Sequence, residues 1–306
     1  MKVAAGFRVW REEDYIEYSL EMTYPHVDYI IIGYGPMRCM TYWKPDSTLS
    51  KITNFPDPEN KIHFFSNNWW DRPQDCPNAI LKMARELGAN YYIKIDGDEI
   101  FSHHFWEELK NLIPLSIEKK KPITCKMLVF WRDFHHIVEL KGTREYILKG
   151  FPITPNVSFI HPDFLNPASG LKHRTKVRAL WKANRIPMKT LMHHYSYVKP
   201  LYSMFPKICS YDICWRNPPH SLKDVICQYR DPPWWIFPEQ FKRWWIYQDK
   251  LYAFQYAKII EYNSFHPKIM EKHPFWNKRM EWEEENKTFN VIDLLSNFGK
   301  KILLEG

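Results

Sequence analysis

The stretch YYIKIDGDEIF, residues 91–101, joins an apolar strand to three acidic side chains within four residues. Because side chains alternate along a strand, Asp96 and Asp98 can point to the same side, while Gly97 lets the backbone bend. Carboxylates that close together repel each other unless a cation neutralises them. A divalent cation, Mg²⁺ or Mn²⁺, binds oxygen ligands and leaves coordination sites for phosphate oxygens. The pattern therefore predicts a metal and phosphate site, and the alternative is a solvated acidic turn that opens a helix at Ser102.

Strands and helices alternate in the sequence on both sides of this stretch. Three apolar runs precede Tyr91–Ile95 and are typical of strands, namely Val3–Val9, Asp28–Ile32 and Lys61–Phe65. Amphipathic patterns predict helices over Glu12–Met22, Asn78–Leu87 and Ser102–Ile113. This alternation predicts an α/β fold with a mostly parallel sheet and helices on both faces. Ligands of such sheets bind at the carboxyl ends of the strands, where the acidic cluster falls.

Composition limits the class of protein without choosing a function. The chain has 306 residues, of which 45% are hydrophobic, so a substantial core is expected and global disorder is excluded. Its net charge of +8 suits phosphate-bearing ligands, nucleic acid or anionic lipid. No apolar run is long enough for a spanning helix, and the six Cys form no CxxC pair, which favours reduced thiols and a cytoplasmic protein. The Trp pairs at 69–70, 234–235 and 244–245 are candidates for sugar stacking, packing or peripheral membrane contact.

Three segments of residues 1–110 resemble the family 2 glycosyltransferases, which have the GT-A fold. Val3–Asp14, VAAGFRVWREED, resembles the opening strand of that family and the turn after it, and Val27–Gly35 resembles its second strand. Asn78–Glu99, a helix followed by a strand that ends in DGDE, resembles the donor-binding helix and the DxD motif. The DGDE piece is the most specific part of the resemblance.

The resemblance implies a nucleotide-diphospho-sugar as the donor and a divalent cation, Mn²⁺ or Mg²⁺, that bridges the diphosphate. By position, Phe7, Arg8 and Val9 flank the nucleotide. Asp96 is placed at the ribose or the metal, and Asp98 is placed as a direct metal ligand. The implied fold is a Rossmann-like, mostly parallel sheet flanked by helices.

Two further sets of residues are candidates for contact with the metal and the diphosphate. Some GT-A enzymes complete the metal site with a histidine from the second half, and His194 is the candidate here, with His193 as its competitor. Residues 171–185 are basic without an acidic residue, and Arg174 and Arg178 are expected to bind the diphosphate. The alternatives for that segment are an anionic acceptor or a solvated face.

The nucleobase contact and the catalytic base are each assigned to individual residues. The family has an acidic residue after its second strand, whereas this chain has the turn Gly33–Pro36, in which Tyr34 is the candidate for stacking on the base. An inverting transfer needs a carboxylate that accepts the proton of the acceptor hydroxyl. Asp163 is the preferred candidate and Asp133 the second, and an ordinary turn carboxylate is the alternative for each.

The sequence thus predicts a catalytic domain over residues 1–200, with a nucleotide-sugar-binding half (1–110) and an acceptor half (111–200). Residues 201–306 are expected to form an aromatic-rich helical extension, with one long helix from Glu239 to about Tyr262. The predicted reaction moves a sugar to the hydroxyl of a saccharide, a lipid-linked glycan, a protein or a modified nucleobase. The alternatives are a nucleotidyl- or phosphoryl-transferase, a basic nucleic-acid-binding protein, and a glycosyltransferase that acts on DNA.

Overall fold

The computed structural model of the chain describes residues 1–139, 147–161, 164–165, 184–215, 258–278 and 291–305. The strands in this part of the chain are β1 (Val3–Val9), β2 (Tyr29–Tyr34), β3 (Ile62–Ser66), β4 (Tyr91–Asp96), β5 (Glu99–Ile100), β6 (Ile123–Cys125), β7 (Met127–Trp131), β8 (His136–Glu139), β9 (Ile147–Pro152), β10 (Phe159–His161), β11 (Phe164–Leu165), β12 (Ile186–Pro187), β13 (Met192–Tyr197) and β14 (Lys258–Glu261). The helices are α1 (Ile16–Thr23), α2 (Thr48–Thr53), α3 (Asp75–Glu86), α4 (His103–Lys119), α5 (Leu201–Trp215), α6 (Val291–Leu294) and α7 (Asn297–Glu305).

The larger sheet has the strand order β12-β6-β9-β4-β1-β2-β3. Within it, β1 is parallel to both β2 and β4, and β2 is parallel to β3. Towards the other edge β9 runs antiparallel to β4 and β6, and β12 is parallel to β6. The predicted α/β fold with a mostly parallel sheet is therefore confirmed, and the order 3-2-1-4 of its parallel half is Rossmann-like.

Helices cover both faces of this sheet, which explains why β1 and β4 are continuous apolar runs. On one face Phe7 lies in a buried cluster with Leu20 of α1 and Phe105 of α4. On the opposite face Tyr92 of β4 lies in a second buried cluster with Ile80 of α3. The carboxyl ends of β1 and β4 are left uncovered by these helices and form one edge of a cleft.

A second, smaller sheet has the order β14-β8-β7-β13-β5, and the sequence analysis did not predict it. Its strand β13 is parallel to β7 and antiparallel to β5, so that His194 lies opposite Glu99. Phe130, Phe134 and Tyr195 belong to a buried cluster on this sheet. The sheet brings β13 against the acidic turn that follows β4.

The first helix starts later than its amphipathic pattern predicts. The carbonyl of Glu12 accepts hydrogen bonds from the amides of Tyr15 and Ile16, and this turn precedes α1. Arg11, before the turn, has a φ of +56°, a conformation that is uncommon for a residue other than glycine. The turn aims the side chains of residues 11 and 12 into the cleft.

Two other helices also differ from the prediction. Helix α4 continues beyond Ile113 to Lys119, and Lys120 ends it in the left-handed conformation with a φ of +50°. Lys258–Glu261, the end of the predicted helix 239–262, is instead strand β14, which pairs antiparallel with β8. The earlier part of that predicted helix lies outside the described residues. In the part of the chain that the structure describes, no helix is both long and apolar enough to cross a lipid bilayer.

Candidate functional site

The candidate site is a cleft at the carboxyl ends of β1 and β4, with a volume of about 160 Å³. Arg8 of β1 pairs in register with Asp96 of β4, so both lie at the carboxyl-terminal edge of the parallel strands. The strand order reverses between β1 and β4, and such a switch point is where open α/β sheets bind ligands. Among the described residues, eight with an acidic, basic or imidazole side chain line the cleft: Arg8, Arg11, Glu12, Asp96, Asp98, His194, Lys199 and Lys207.

Asp96 is held by two cationic side chains. One carboxylate oxygen accepts a hydrogen bond of 2.8 Å from Lys94 Nζ, and the other lies 3.8 Å from the guanidinium of Arg8. Burial opposes ionisation of this carboxyl, but Lys94 and then Arg8 outweigh that effect and hold the pKa of Asp96 below its usual value. Asp96 is therefore ionised throughout the physiological range.

Asp98 is almost completely buried and lies between a lysine of α5 and a histidine of β13. Lys207 Nζ donates to Asp98 Oδ2 at 3.0 Å, and His194 Nε2 lies 3.4 Å from Asp98 Oδ1. Burial again opposes the charged form, but Lys207 and His194 together hold the pKa of Asp98 well below its usual value. Nδ1 of His194 is buried and has no hydrogen-bond partner among the described residues.

Glu99 stabilises the acidic turn through hydrogen bonds of its carboxylate. Its carboxylate accepts a hydrogen bond of 2.5 Å from Lys149 Nζ of β9, and both side chains are buried. The same oxygen, Oε2, accepts a hydrogen bond of 2.9 Å from the backbone amide of Asp96. Glu99 is thus a structural acid that fixes the backbone of the turn, and it does not line the cleft.

Glu12 lies on the opposite side of the cleft, against the same turn. A Cβ at Gly97 would stand 3.0 Å from both Cβ and Cγ of Glu12, so only glycine lets the two segments approach this closely. Lys199 Nζ donates to Glu12 Oε2 at 2.6 Å. Burial, with a further contribution from the charge of Asp98, raises the pKa of Glu12 to about 7. A carboxyl with this pKa takes up and releases a proton near neutral pH.

The predicted metal ligands do not fit a divalent cation in this arrangement. Asp98 and His194 are brought together as predicted, but no group of three His, Cys, Asp or Glu side chains within the described ranges is arranged to hold a metal ion. One oxygen of Asp96 and one of Asp98 are each bonded to a lysine ammonium. An ammonium bonded directly to the carboxylate repels a second cation there. The geometry therefore does not support the expectation of Mn²⁺ or Mg²⁺ at Asp96, Asp98 and His194.

The residues expected to contact the nucleotide fall in two groups. Arg8 and Val9 line the cleft. Phe7 is fully buried in the core on one face of the sheet, because alternate residues of a strand face opposite sides. Tyr34 is also buried, where its ring packs 5.2 Å from that of Trp10, and Trp10 rather than Tyr34 lines the cleft. Burial raises the pKa of Tyr34 to about 12.

Of the two predicted catalytic bases, the structure describes Asp133 and not Asp163. Asp133 is buried in the turn between β7 and β8, where it accepts hydrogen bonds from the amide of His135 and pairs with the ring of His136 at 2.8 Å. It is not among the described residues that line the cleft. Asp163 lies outside the described residues, and so do Arg174 and Arg178.

His193, the competitor of His194, faces away from the acidic turn. Its ring stacks on Phe130 at 5.8 Å, and its Nε2 lies 2.8 Å from the carbonyl oxygen of Phe265. Burial lowers the pKa of His193 to about 4, so the ring is neutral. His193 is therefore a core residue, and His194 is the histidine of the cleft.

Sequence reasoning missed Lys199, Lys207 and Glu12 as site residues. Lys199 lies between β13 and α5, Lys207 lies on α5, and no local pattern distinguishes either of them from a solvated lysine. Glu12 was predicted only as part of a turn and as the start of a helix, and its buried environment comes from residues far along the chain. Trp70, from one of the Trp pairs, also lines the cleft, together with Trp10 and Trp43.

Comparison with solved structures gives distant similarities. TarS of S. aureus in complex with UDP-GlcNAc is 16% identical, with a TM-score of 0.33, over 42% of this chain and 35% of that chain. TarS residues 1–349 are 12% identical, with a TM-score of 0.39, over 74% of this chain and 65% of that chain. The mannosyltransferase PcManGT of Pyrobaculum calidifontis in complex with GDP-Man and Mn²⁺ is 11% identical, with a TM-score of 0.41, over 81% of this chain and 70% of that chain.

The chain thus spans less than two thirds of the length of the TarS chains that it matches. No protein-family model matches the chain, and no curated protein matches it. Similarity at this level assigns no activity to the chain, so its function has to be inferred from the residues of the cleft.

Proposed function

We propose that this protein is a glycosyltransferase that binds a nucleotide-diphospho-sugar in the cleft and transfers the sugar to an acceptor hydroxyl. The observation that carries the proposal is the convergence of Arg8, Lys199 and Lys207 with the acidic turn at the switch point of a Rossmann-like sheet. A diphosphate brings negative charge and needs cations on more than one side. Resemblance of residues 1–110 to family 2 glycosyltransferases supports a nucleotide sugar as the donor.

Cations of the cleft have two tasks in this reaction. They bind the donor, and they stabilise the charge that develops on the nucleoside diphosphate as the bond to the sugar breaks. Lys199 and Lys207 are fixed by hydrogen bonds to Glu12 and Asp98, so they need little reorganisation when the charge develops. The ring of Trp10, which is partly exposed, provides an apolar wall on which a base or a sugar can pack.

Glu12 is the carboxylate in the described part of the cleft that best suits a general base. A base is most effective when its pKa lies near the working pH, and the pKa of Glu12 is about 7. Asp96 and Asp98 are poorer bases, because their cationic neighbours lower their pKa values. We therefore infer that Glu12 accepts the proton of the acceptor hydroxyl, the role that an inverting transfer requires of a carboxylate. Asp163 is the competing candidate from the sequence.

The first test is a thermal-shift panel of nucleoside diphosphates and nucleotide sugars. A ligand that binds only the folded protein raises its melting temperature, and at 100 times Kd it stabilises by about 2.7 kcal/mol. We expect one nucleotide to raise the melting temperature, and the active donor to release its diphosphate on incubation. No shift with any nucleotide would contradict the proposal.

The role of Glu12 is tested with Glu12→Gln and with Glu86→Gln as the matched control. Glu86 is an exposed residue of α3 that pairs with Lys82, away from the cleft. We expect Glu12→Gln to bind the donor with similar affinity and to turn it over at least about 100-fold more slowly, as for loss of a general base. Glu86→Gln should match the unmodified protein in both assays. Undiminished turnover in Glu12→Gln would exclude it as the base and favour Asp163.

A further inference from the structure

Four acidic side chains in and beneath the cleft each form an ion pair with a different lysine. The four pairs, with their N···O distances, are Asp96 with Lys94 at 2.8 Å, Asp98 with Lys207 at 3.0 Å, Glu99 with Lys149 at 2.5 Å, and Glu12 with Lys199 at 2.6 Å. Lys94 and Asp96 lie two residues apart on β4, whereas the other three lysines come from distant parts of the chain, so those three pairs are a property of the fold. The charge of the carboxylates is neutralised without any bound ion.

Two of these four lysines face the cleft. Lys94 and Lys149 lie beneath it and are not part of its lining, whereas Lys199 and Lys207 are. The side chain of Lys207 is 15% exposed, and its Nζ also contacts the hydroxyl and, at 3.4 Å, the carbonyl oxygen of Ser196. Lys199 Nζ contacts the carbonyl oxygen of Arg11 at 3.3 Å in addition to Glu12. Both ammonium groups are thus fixed in place, that of Lys207 at the surface of the cleft and that of Lys199, whose side chain is 1% exposed, in its wall.

A divalent cation would have to displace Lys207 to reach both oxygens of Asp98. The other oxygen of this carboxylate already faces His194, and Arg8 stands 3.8 Å from the nearest oxygen of Asp96. An additional double charge would therefore enter a site whose carboxylates are already compensated. A diphosphate, in contrast, adds the negative charge that these cations attract.

We propose that Lys207, assisted by Lys199, takes the place of the divalent cation, so that a nucleoside diphosphate binds in this cleft without a metal ion. This inference rests on the proposed function, because the diphosphate is that of the proposed donor. It departs from the metal-dependent mechanism that the DGDE sequence predicts. The lysine on α5 replaces the ion as the counter-charge to Asp98 and to the diphosphate.

The test measures binding of the best nucleoside diphosphate by calorimetry, in EDTA and in Mn²⁺, to the unmodified protein and to Lys207→Met. Methionine keeps the unbranched apolar stem and removes the charge. The unmodified protein should bind with Kd values that agree within about twofold in the two buffers, since its cation is built in. Lys207→Met should bind at least about tenfold more weakly in EDTA, because one partner of a charge pair is lost.

Mn²⁺ should then act differently on the two proteins. In Lys207→Met the freed oxygen of Asp98 becomes a ligand, so Mn²⁺ should restore binding of the diphosphate. Titration of Mn²⁺ alone, followed by electron paramagnetic resonance, should show tighter binding of the ion to Lys207→Met than to the unmodified protein. Lys82→Met, a change at an exposed lysine of α3 remote from the cleft, is the control and should behave as the unmodified protein.

Several results would overturn the inference. Diphosphate binding to the unmodified protein that is lost in EDTA and restored by Mn²⁺ would keep the proposed function and reject the role of Lys207. Absence of binding in both buffers would reject the proposed function as well. If Lys207→Met does not fold, Lys207→Arg keeps the charge and should retain binding in EDTA, and loss of that binding in folded Lys207→Arg would also reject the role.

Discussion

The buried ion pair between Lys149 and Glu99 offers a sharp test of how the acidic turn is held. Lys149 Nζ lies 2.5 Å from Glu99 Oε2, and the side chains are 0% and 2% exposed. The chain contains a second Lys–Glu pair with the same distance, Lys51 with Glu17, whose side chains are 33% and 47% exposed. Burial is therefore the main difference between two pairs of the same chemistry.

The change to make is Lys149→Met, with Lys51→Met as the matched control. Removing one partner of a buried pair leaves a carboxylate without its counter-charge in a low-dielectric interior, which costs about 3–5 kcal/mol of unfolding free energy. Removing one partner of an exposed pair costs about 0–1 kcal/mol, because water solvates the remaining charge. We expect Lys149→Met to be less stable than Lys51→Met by about 3 kcal/mol.

Equilibrium unfolding in urea, with the slope compared between variants, measures this difference. The double variant Lys149→Met/Glu99→Gln removes both charges and leaves an amide oxygen that can still accept from the amide of Asp96. It should recover most of the stability lost in Lys149→Met. Equal stabilities for Lys149→Met and Lys51→Met would refute the reasoning, and so would a double variant that is no more stable than Lys149→Met.

Two further predictions concern residues outside the ion pairs. Burial lowers the pKa of His193 to about 4 from its ordinary 6.5, so the unfolded chain binds more protons than the folded chain between these values, and stability present above pH 6.5 is lost as the pH falls towards 4. His193→Phe should therefore lose about 2 kcal/mol less unfolding free energy than the unmodified protein between pH 7 and pH 5, and equal losses in urea titrations would contradict this. Gly35 has a φ of +144°, and an added Cβ would lie 2.4 Å from the carbonyl oxygen of Asn67, so Gly35→Ala should destabilise by about 2 kcal/mol or more. Gly88→Ala, with a φ of +75° and no atom within 4 Å of the added Cβ, should cost less, and the reverse order would show that crowding at Gly35 is not the cause.

The parallel half of the sheet could be predicted because its signals are local. β1 and β4 are short apolar runs, and helices with a different period separate the parallel strands. The acidic turn at residues 96–99 could be placed at the carboxyl edge for the same reason, since it directly follows a strand. The second sheet could not be predicted, because β5 has only two residues and because β5, β13 and β14 are placed in one sheet only by pairing with strands far along the chain.

The site residues also divide into those that local sequence predicted and those that only the fold could place. Asp96, Asp98 and His194 were candidates from their neighbours in the sequence, and they do line the cleft. Asp133 was the second candidate for the catalytic base, but in the fold its carboxylate accepts a hydrogen bond from a turn amide and pairs with the ring of His136. His193 and His194 alternate along β13, and only the packing of that strand decides which of them faces the acidic turn.

The sequence by itself determined the α/β class, the order of alternation in its first half, and the acidic turn at the end of β4, because each depends on residues that are close along the chain. The tertiary structure decided which cationic side chains pair with the carboxylates of that turn and of Glu12. Lys207 pairs with Asp98 across 109 residues, and Lys199 pairs with Glu12 across 187. Electrostatic energy depends on distance and burial in space, so the balance of charge in the cleft, and with it the need for a metal ion, was set by the fold.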